Sequence, residues 1–464
     1  MVAVRVPVDR VTAAAYHAGA ARRAAEGGAA MVAQRTALRT WSGRARRRAG
    51  VAGVLVGVLV LAGCWPIPGG GTGRSGWNPF EDMLSAANVS RLAARWVWVS
   101  PGPPAAVRSP VTSRGGVHAV VHHRLVTVDQ DTGALRWAQD LFDPDPPAPG
   151  GAGPLSVDGD DVYAPVSFWR GVGPTGTHRF GVESGEPRGT PAGAPVDAII
   201  PSFGRLAGSW ADGSPGGVIS GVFVTDTRDP ARSWRSVIGV SSNPNDGPSG
   251  AVASLDGLVL RSGPAVLAFP WHKPSGCGPL APGAPWLETC PPRWSANVGA
   301  WTRPALSRDG GTVAVGRVGG VVVLDAATGT TRWEGTLPAG AAVNWDTAPV
   351  VTGSQVAIGY TLRRSHGVAV WPVGGCGAPA CAPTWTGTVP GPVTLQPAAA
   401  NGVLFVPAGS SLLAFALDGC RKRRCASLWS TDLGALVTGG PAVSVGQVYV
   451  GTADGRLVAF GLPR

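Results

Sequence analysis

Apolar and polar positions along this chain fall into short blocks. Val321-Val322-Val323-Leu324 is a branched apolar run, too short for a helix and long enough for a buried strand. It ends in a polar turn, Asp325-Ala326-Ala327-Thr328-Gly329, and a second strand-like segment follows with Trp333 near its start. Leu125-Val126-Thr127-Val128, the turn Asp129 to Gly133, and Trp137 repeat the phrase. In such a turn Asp and Thr side chains satisfy backbone amides, and Gly takes a conformation that a Cβ would strain. From residue 92 onward the pattern is periodic. Units run Ala105–Trp137, Pro154–Arg188, 199–240, Ala251–Trp294, Pro304–Trp333, Pro349–Trp385 and Pro397–Trp429. The last unit, from Pro441, holds three strands and stops without its Trp-bearing fourth. Arg95-Trp96-Val97-Trp98-Val99, at the other end of the chain, supplies the missing piece. Spacing of about 30–45 residues, four strands per unit and closure by an N-terminal strand predict an all-β propeller. The count is about eight four-stranded blades, or seven if the unit 199–240 is only a decorated loop.

The strand–DxxTGxxxW phrase at Asp325–Trp333, with Val448–Phe460, resembles the repeats of pyrroloquinoline-quinone-type (quinoprotein-like) propellers, from about residue 88 to the end. The resemblance implies that Trp96, Trp137, Trp294, Trp333, Trp385 and Trp429 lie flat between neighbouring blades as docking side chains. Trp169, Trp210, Trp271, Trp286, Trp301 and Trp345 fall outside the pattern and are candidates for an exposed face. Enzymes of that family oxidise alcohols and sugars with the quinone PQQ and calcium, so that cofactor pair is the one to look for. The adjacent Cys-Cys pair of many alcohol-oxidising members is absent here, and no set of Asp, Glu and Asn stands out as metal ligands.

The N-terminus carries a different signal. Arg44, Arg46, Arg47 and Arg48 precede an uncharged run from Ala49 to Val60, then Leu61-Ala62-Gly63-Cys64. A basic region, a short apolar region and a small-residue site make an export signal. The last four residues resemble the lipobox of bacterial lipoproteins, which implies lipidation of Cys64 and cleavage before it. Met31 is a more ordinary start than Met1, and Arg46-Arg47 fits a twin-arginine signal poorly. The organisation is therefore 1–63, extension and lipoprotein signal peptide; 64–87, a flexible tether rich in Gly and Pro; and 88–464, the propeller. The expected location is extracytoplasmic, lipid-anchored to the cell membrane.

Charge first suggests nucleic acid, since the net charge is +11. Residues 1–50, however, hold ten Arg against Asp9 and Glu26, and the rest of the chain is nearly balanced. A phosphate-binding surface needs clustered positive charge, and the one basic cluster in the body, Arg421 to Arg424, reads as a solvated loop. Many Arg, two Lys (Lys273 and Lys422) and abundant Ala, Gly and Val suggest a GC-rich, actinobacterial source.

Six cysteines beyond Cys64 form close pairs: Cys277/Cys290, Cys376/Cys381 and Cys420/Cys425. After an export signal such pairs read as disulfides; a zinc site built from the two C-x4-C pairs is the rival. Asp158-Gly159-Asp160-Asp161 reads as a hairpin turn beside a calcium-loop alternative, and His122-His123 as a hairpin tip beside a metal-site alternative. No haem-attachment, nucleophile-elbow or zinc-helix motif occurs. The expected function is a non-catalytic binding or assembly scaffold at the cell envelope, with no cofactor of its own and a protein or envelope polymer as partner. In layout it resembles the propeller lipoprotein of the outer-membrane barrel-assembly machinery. Two alternatives stand beside it: a PQQ-dependent dehydrogenase of sugars or alcohols, and a carbohydrate-binding propeller.

Overall fold

The computed structural model describes residues 64–142, 150–168, 176–189, 200–202, 204–214, 217–241, 248–280 and 287–463. They form an eight-bladed β-propeller. In blade 5, where apolar runs and turns alternate most regularly, Ala305–Leu306, Thr312–Arg317, Gly320–Asp325 and Thr331–Thr336 pair as an antiparallel meander from the central channel outward. Val321 to Leu324 are all 0% exposed, because both faces of a blade pack on its neighbours. The unit at 199–240 is a full blade, with Ile200–Ser202, Arg205–Ser214, Gly217–Asp226 and Trp234–Ser241, which fixes the count at eight. Ala93–Val99 pairs antiparallel with Arg456–Gly461, so blade 8 is built from both ends of the propeller chain and the ring has no open side.

One kind of contact recurs between neighbouring blades. The Trp333 indole donates to the Val373 carbonyl of blade 6 (2.9 Å), and its ring lies against Gly375, where a Cβ would come within 2.8 Å of it. Trp294 does the same on blade 5: its indole donates to Ala326 O at 3.0 Å, and its ring covers Gly329. Gly329 has φ +74° and a Cβ there would meet the ring at 2.5 Å, so both turn shape and close approach demand glycine. Trp96, Trp137 and Trp385 occupy equivalent places on Gly133, Gly185 and Gly419. Trp429 donates to Leu92 O at 3.0 Å and packs edge-on to Phe460 of blade 8. Trp234 donates to Trp271 O at 3.1 Å, joining blades 3 and 4, a position the sequence repeat does not single out. The turn is braced from within: Asp325 accepts the amides of Ala327 and Thr328 and the Arg332 guanidinium, which holds its carboxyl down to about 2.

Cys277–Cys290, Cys376–Cys381 and Cys420–Cys425 are disulfide-bonded. In blades 6 and 7 the loops follow Gly375 and Gly419, in the place of the Asp-Thr turn. Each loop then reaches back: Ala380–Cys381 and Arg424–Cys425 add a short parallel strand to the outer edge of the preceding blade. That covers an edge otherwise open to pairing with another chain.

His118, in the blade 1 strand Gly116–Val121, is 0% exposed between Ser113 Oγ and Thr127 Oγ1, each 2.6 Å from a ring nitrogen. Burial, and then Arg136, hold the imidazole neutral with a pKa lowered to about 3.

Replacing Trp333 with Ala should cost about 3–5 kcal/mol, measured by denaturant unfolding. Replacing the half-exposed Trp301 with Ala should change stability by less than about 0.5 kcal/mol; equal effects would contradict the docking role. A second expectation concerns acid. The unfolded His118 titrates near 6.5 and the folded one near 3. Stability from this group is therefore complete above about 6.5 and is lost as pH falls toward 3, by up to about 1.4 kcal/mol per pH unit. Urea titrations across that range should give a flatter slope for His118→Gln than for the parent.

Candidate functional site

The functional geometry centres on the channel, where the inner strand of each blade leaves one edge unpaired. Composition predicts a flexible tether at 64–87, but residues 65–78 are packed into the ring. Trp65 and Ile67 are each 1% exposed. The segment circles the axis and meets blade after blade. Thr112 N donates to Trp65 O (2.9 Å), Val157 N to Pro66 O (2.8 Å) and Ala253 N to Thr72 O (2.9 Å). Leu306 N donates to Gly73 O (2.8 Å), Val351 N to Ser75 O (2.6 Å) and Ala399 N to Gly76 O (2.6 Å). Trp77–Asn78 then pairs parallel with Ala398–Ala400, and Asn78 Nδ2 donates to Val443 O at 2.8 Å. Residues 79–92 stay on the body: Leu84 and Val89 are 0% exposed, and Glu81 accepts the Gly446 amide at 2.9 Å. The glycines serve close approach. A Cβ on Gly73 would lie 2.8 Å from Leu306 O, and one on Gly76 would lie 2.9 Å from Val350 Cγ2.

The plug bonds near the ends of the inner strands, at Thr112, Val157, Ala253, Leu306, Val351 and Ala399. Toward their beginnings a cavity of about 300 Å³ remains, with the plug residues Trp65, Gly69 and Arg74 in its wall. Arg108, Arg303, Asp346 and Gln396 also line it. Arg74 takes φ +44° at the end of a Gly71–Arg74 turn. Its carbonyl accepts the Gln396 amide at 2.8 Å, and its side chain is held in the cavity at 5% exposure. Burial first, and then Arg303, lower its pKa to about 9. Arg303 donates to the Asp346 carbonyl at 3.1 Å. Burial raises the Asp346 pKa, against the pull of Arg303. None of these residues stands out in the sequence. The available signal was Trp65, Ile67 and Trp77, apolar residues placed inside a Gly-rich stretch.

This lining is a poor match for calcium. Hard cations take six to eight oxygen ligands, whereas the cavity has one carboxylate among three guanidiniums. Among the described residues no group of three His, Cys, Asp or Glu could hold a metal. A quinone–calcium pair therefore does not fit these residues.

The other sequence candidates lie elsewhere. Cys64, the expected lipidation site, is half-buried at the start of the plug, and the signal sequence before it lies outside the described residues. Asp158-Gly159-Asp160-Asp161 forms a hairpin turn between Ser156–Asp158 and Asp161–Phe168, and its carboxylates face arginines, Arg114 at Asp160 and Arg188 at Asp161. His122-His123 is a hairpin tip, with His123 3.5 Å from Asp140. Arg421 to Arg424 are exposed on the Cys420–Cys425 loop. Of the off-pattern tryptophans, Trp210 and Trp271 are buried, Trp301 and Trp345 are 45% and 51% exposed, and Trp169 and Trp286 lie outside the described residues. No helix among the described residues is long and apolar enough to cross a membrane.

The chain matches no family model and no curated protein sequence. Its fold is similar to solved structures. Quinohemoprotein alcohol dehydrogenase from Comamonas testosteroni superposes with a TM-score of 0.60 at 13% identity, covering 86% of this chain and 80% of that one. A europium-containing methanol dehydrogenase gives 0.57 at 12% identity, covering 87% and 99%. BamB from Moraxella catarrhalis gives 0.52 at 12% identity, covering 80% and 99%. At such identity the likeness concerns the fold alone, an eight-bladed β-propeller.

Gly73→Val should destabilise the protein by about 1–3 kcal/mol, because its side chain meets the Leu306 backbone. Hydrogen exchange should quicken at the Leu306 and Val351 amides. Gly71→Ala, with nothing within 4 Å of the added Cβ, is the control and should leave both unchanged.

Proposed function

We propose that this protein is a non-catalytic binding and assembly platform of the cell envelope, held at the outer face of the membrane by lipid on Cys64. The observation that carries the reading is the plug. The chain's own residues 65–78 fill one end of the channel, and among the described residues the cavity left beside them offers one carboxylate among three guanidiniums, a poor match for quinone–calcium chemistry. The propeller then offers its rim and faces to a protein or envelope polymer. The similarity to BamB supports the reading at the level of fold, and the similarity to the dehydrogenases supports the enzyme alternative equally at that level. The donor set of the cavity supports the platform reading. On this reading the anchor is short. Trp65 is already docked on Thr112, so a lipid on Cys64 holds the ring against the bilayer instead of letting it stand off on a tether.

The carbohydrate-binding alternative has one observation in its favour. Trp301 and Trp345 are half-exposed on neighbouring loops that Arg303 ties together through Asp346 O. Exposed indoles in such a position suit stacking on a sugar face. A glycan array on the parent and on Trp301→Ala/Trp345→Ala decides it: binding lost in the variant supports this alternative, and no binding by either removes it.

Two measurements test the platform. Mass spectrometry of the mature chain from membranes should find an acylated Cys64 at the N-terminus, and Cys64→Ala should leave the membrane fraction; an unchanged distribution would refute the anchor. Purified protein titrated with PQQ and calcium should show no dye reduction with any alcohol or sugar, whereas saturable binding with turnover would overturn the non-catalytic reading.

A further inference from the structure

The channel cavity holds a buried guanidinium, Arg74, that no carboxylate among the described residues pairs with. Arg74 is 5% exposed, and its Nε and Nη2 are buried without a hydrogen-bond partner. A desolvated guanidinium with unsatisfied N–H groups costs several kcal/mol unless something accepts from it. Its charged neighbour is Arg303, which adds repulsion. Arg108, exposed at the second residue of the strand Val107–Ser113, contributes a third guanidinium to the wall. The single carboxylate in that wall, Asp346, shares it with Arg303, whose Nη2 donates to the Asp346 carbonyl. Among the described residues the wall carries three guanidiniums and one carboxylate around a space of about 300 Å³, at the small end of ligand pockets.

We propose that this cavity is a binding site for a small dianion bearing a carboxylate or phosphate group, with Arg74 and Arg303 as its principal ligands. Guanidinium forks are matched to carboxylate and phosphate oxygens, and in a buried setting each charge-assisted bond is strong. Arg108 lies where it draws anions toward the cavity. The indole of Trp65, the prolines just before three inner strands (Pro154, Pro304 and Pro397) and Pro441 within a fourth line the wall with surface that has few polar groups to compete for the ligand. Because Arg74 is part of the plug, an occupied cavity also ties residues 65–78 more firmly to the ring. The proposal is independent of the platform reading: a platform with this site and one without it behave alike in the lipidation and turnover assays.

The test is calorimetry and thermal unfolding of the purified protein with phosphate, succinate and acetate, sodium chloride matching the ionic strength. Saturable binding of phosphate or succinate is expected, with acetate weaker. A ligand at about 100 times its Kd should raise the melting temperature by about 3 °C. Phosphate without succinate identifies a phosphoryl ligand, and the reverse a carboxylate ligand; either outcome supports the site. Arg303→Met should weaken binding by roughly 10- to 100-fold. Arg74→Met should abolish it and, in the absence of anion, melt no lower than the parent, since it removes an unpaired buried charge. Should Arg74→Met fail to fold, the half-buried Arg303→Met carries the test. The proposal is overturned if neither dianion binds saturably, if sodium chloride alone reproduces the shift, or if Arg303→Met responds as the parent does.

Discussion

Everything in this ring depends on one indole laid across one glycine. A blade is a small twisted sheet with two apolar faces and cannot bury both alone. At five joints the Trp of the outer strand (Trp96, Trp137, Trp294, Trp333 and Trp385) covers the turn of the next blade, fills the wedge between them, and satisfies its own N–H on a carbonyl two or three residues before the glycine. The glycine is there because the ring is closer than any Cβ allows. In blades 1 and 5 the Asp that opens the turn keeps it rigid by accepting the amides of the residues two and three places on and an arginine guanidinium, so the ring meets a fixed surface. Joints of this kind are additive only until the circle closes. Once Ala93–Val99 has paired with Arg456–Gly461, opening any joint strains the others. The pairing also spans nearly the whole propeller, a long loop to close, which places it late in folding.

Closing the circle creates a second constraint. Eight inner strands turn unpaired edges toward the axis, too far apart to pair with one another and too enclosed to be well hydrated. Small residues such as Ala398 to Ala400 let those strands crowd inward, and prolines remove some of the donors. The segment 65–78 accepts from many of the remaining amides by running around the axis as a partial extra strand. Its glycines let the backbone pass within van der Waals contact of each blade. The same composition that describes a loose linker thus describes a chain that must touch something along its whole length.

That ambiguity explains what the sequence made legible. The blades, the closing strand and the docking tryptophans were readable because their signals are local and repeated: an apolar run, a turn and a Trp within about a dozen residues. Trp234 was not, since its blade diverges and its acceptor is the Trp271 carbonyl instead of a glycine turn. The plug was unreadable because its partners lie from Thr112 to Val443 and share no pattern with it. Arg74, flanked by Gly73 and Ser75, has every mark of a solvated linker residue. Only the ring shows that its backbone is turned inward, and only then do Arg303, Asp346 and Gln396, each in a separate loop, come to line one cavity.

The plug therefore couples three properties that composition would assign to separate parts of the chain. It completes the hydrogen bonding of the inner strands, it sets the charge of the channel, and it begins at Cys64. A pull on Cys64 is received first by Trp65, buried and bonded in both directions to Thr112, and then by one blade after another. Peeling the segment away would expose inner-strand amides and release Arg74 to water in the same motion. The gain from hydrating that guanidinium opposes the loss of the amide bonds, so the charge state of the cavity and the hold of the N-terminal segment on the ring are one equilibrium. A bound anion removes the gain from hydration and leaves only the loss. Occupancy of the channel and firmness of attachment must then rise together, because linkage between two events that share a residue is reciprocal.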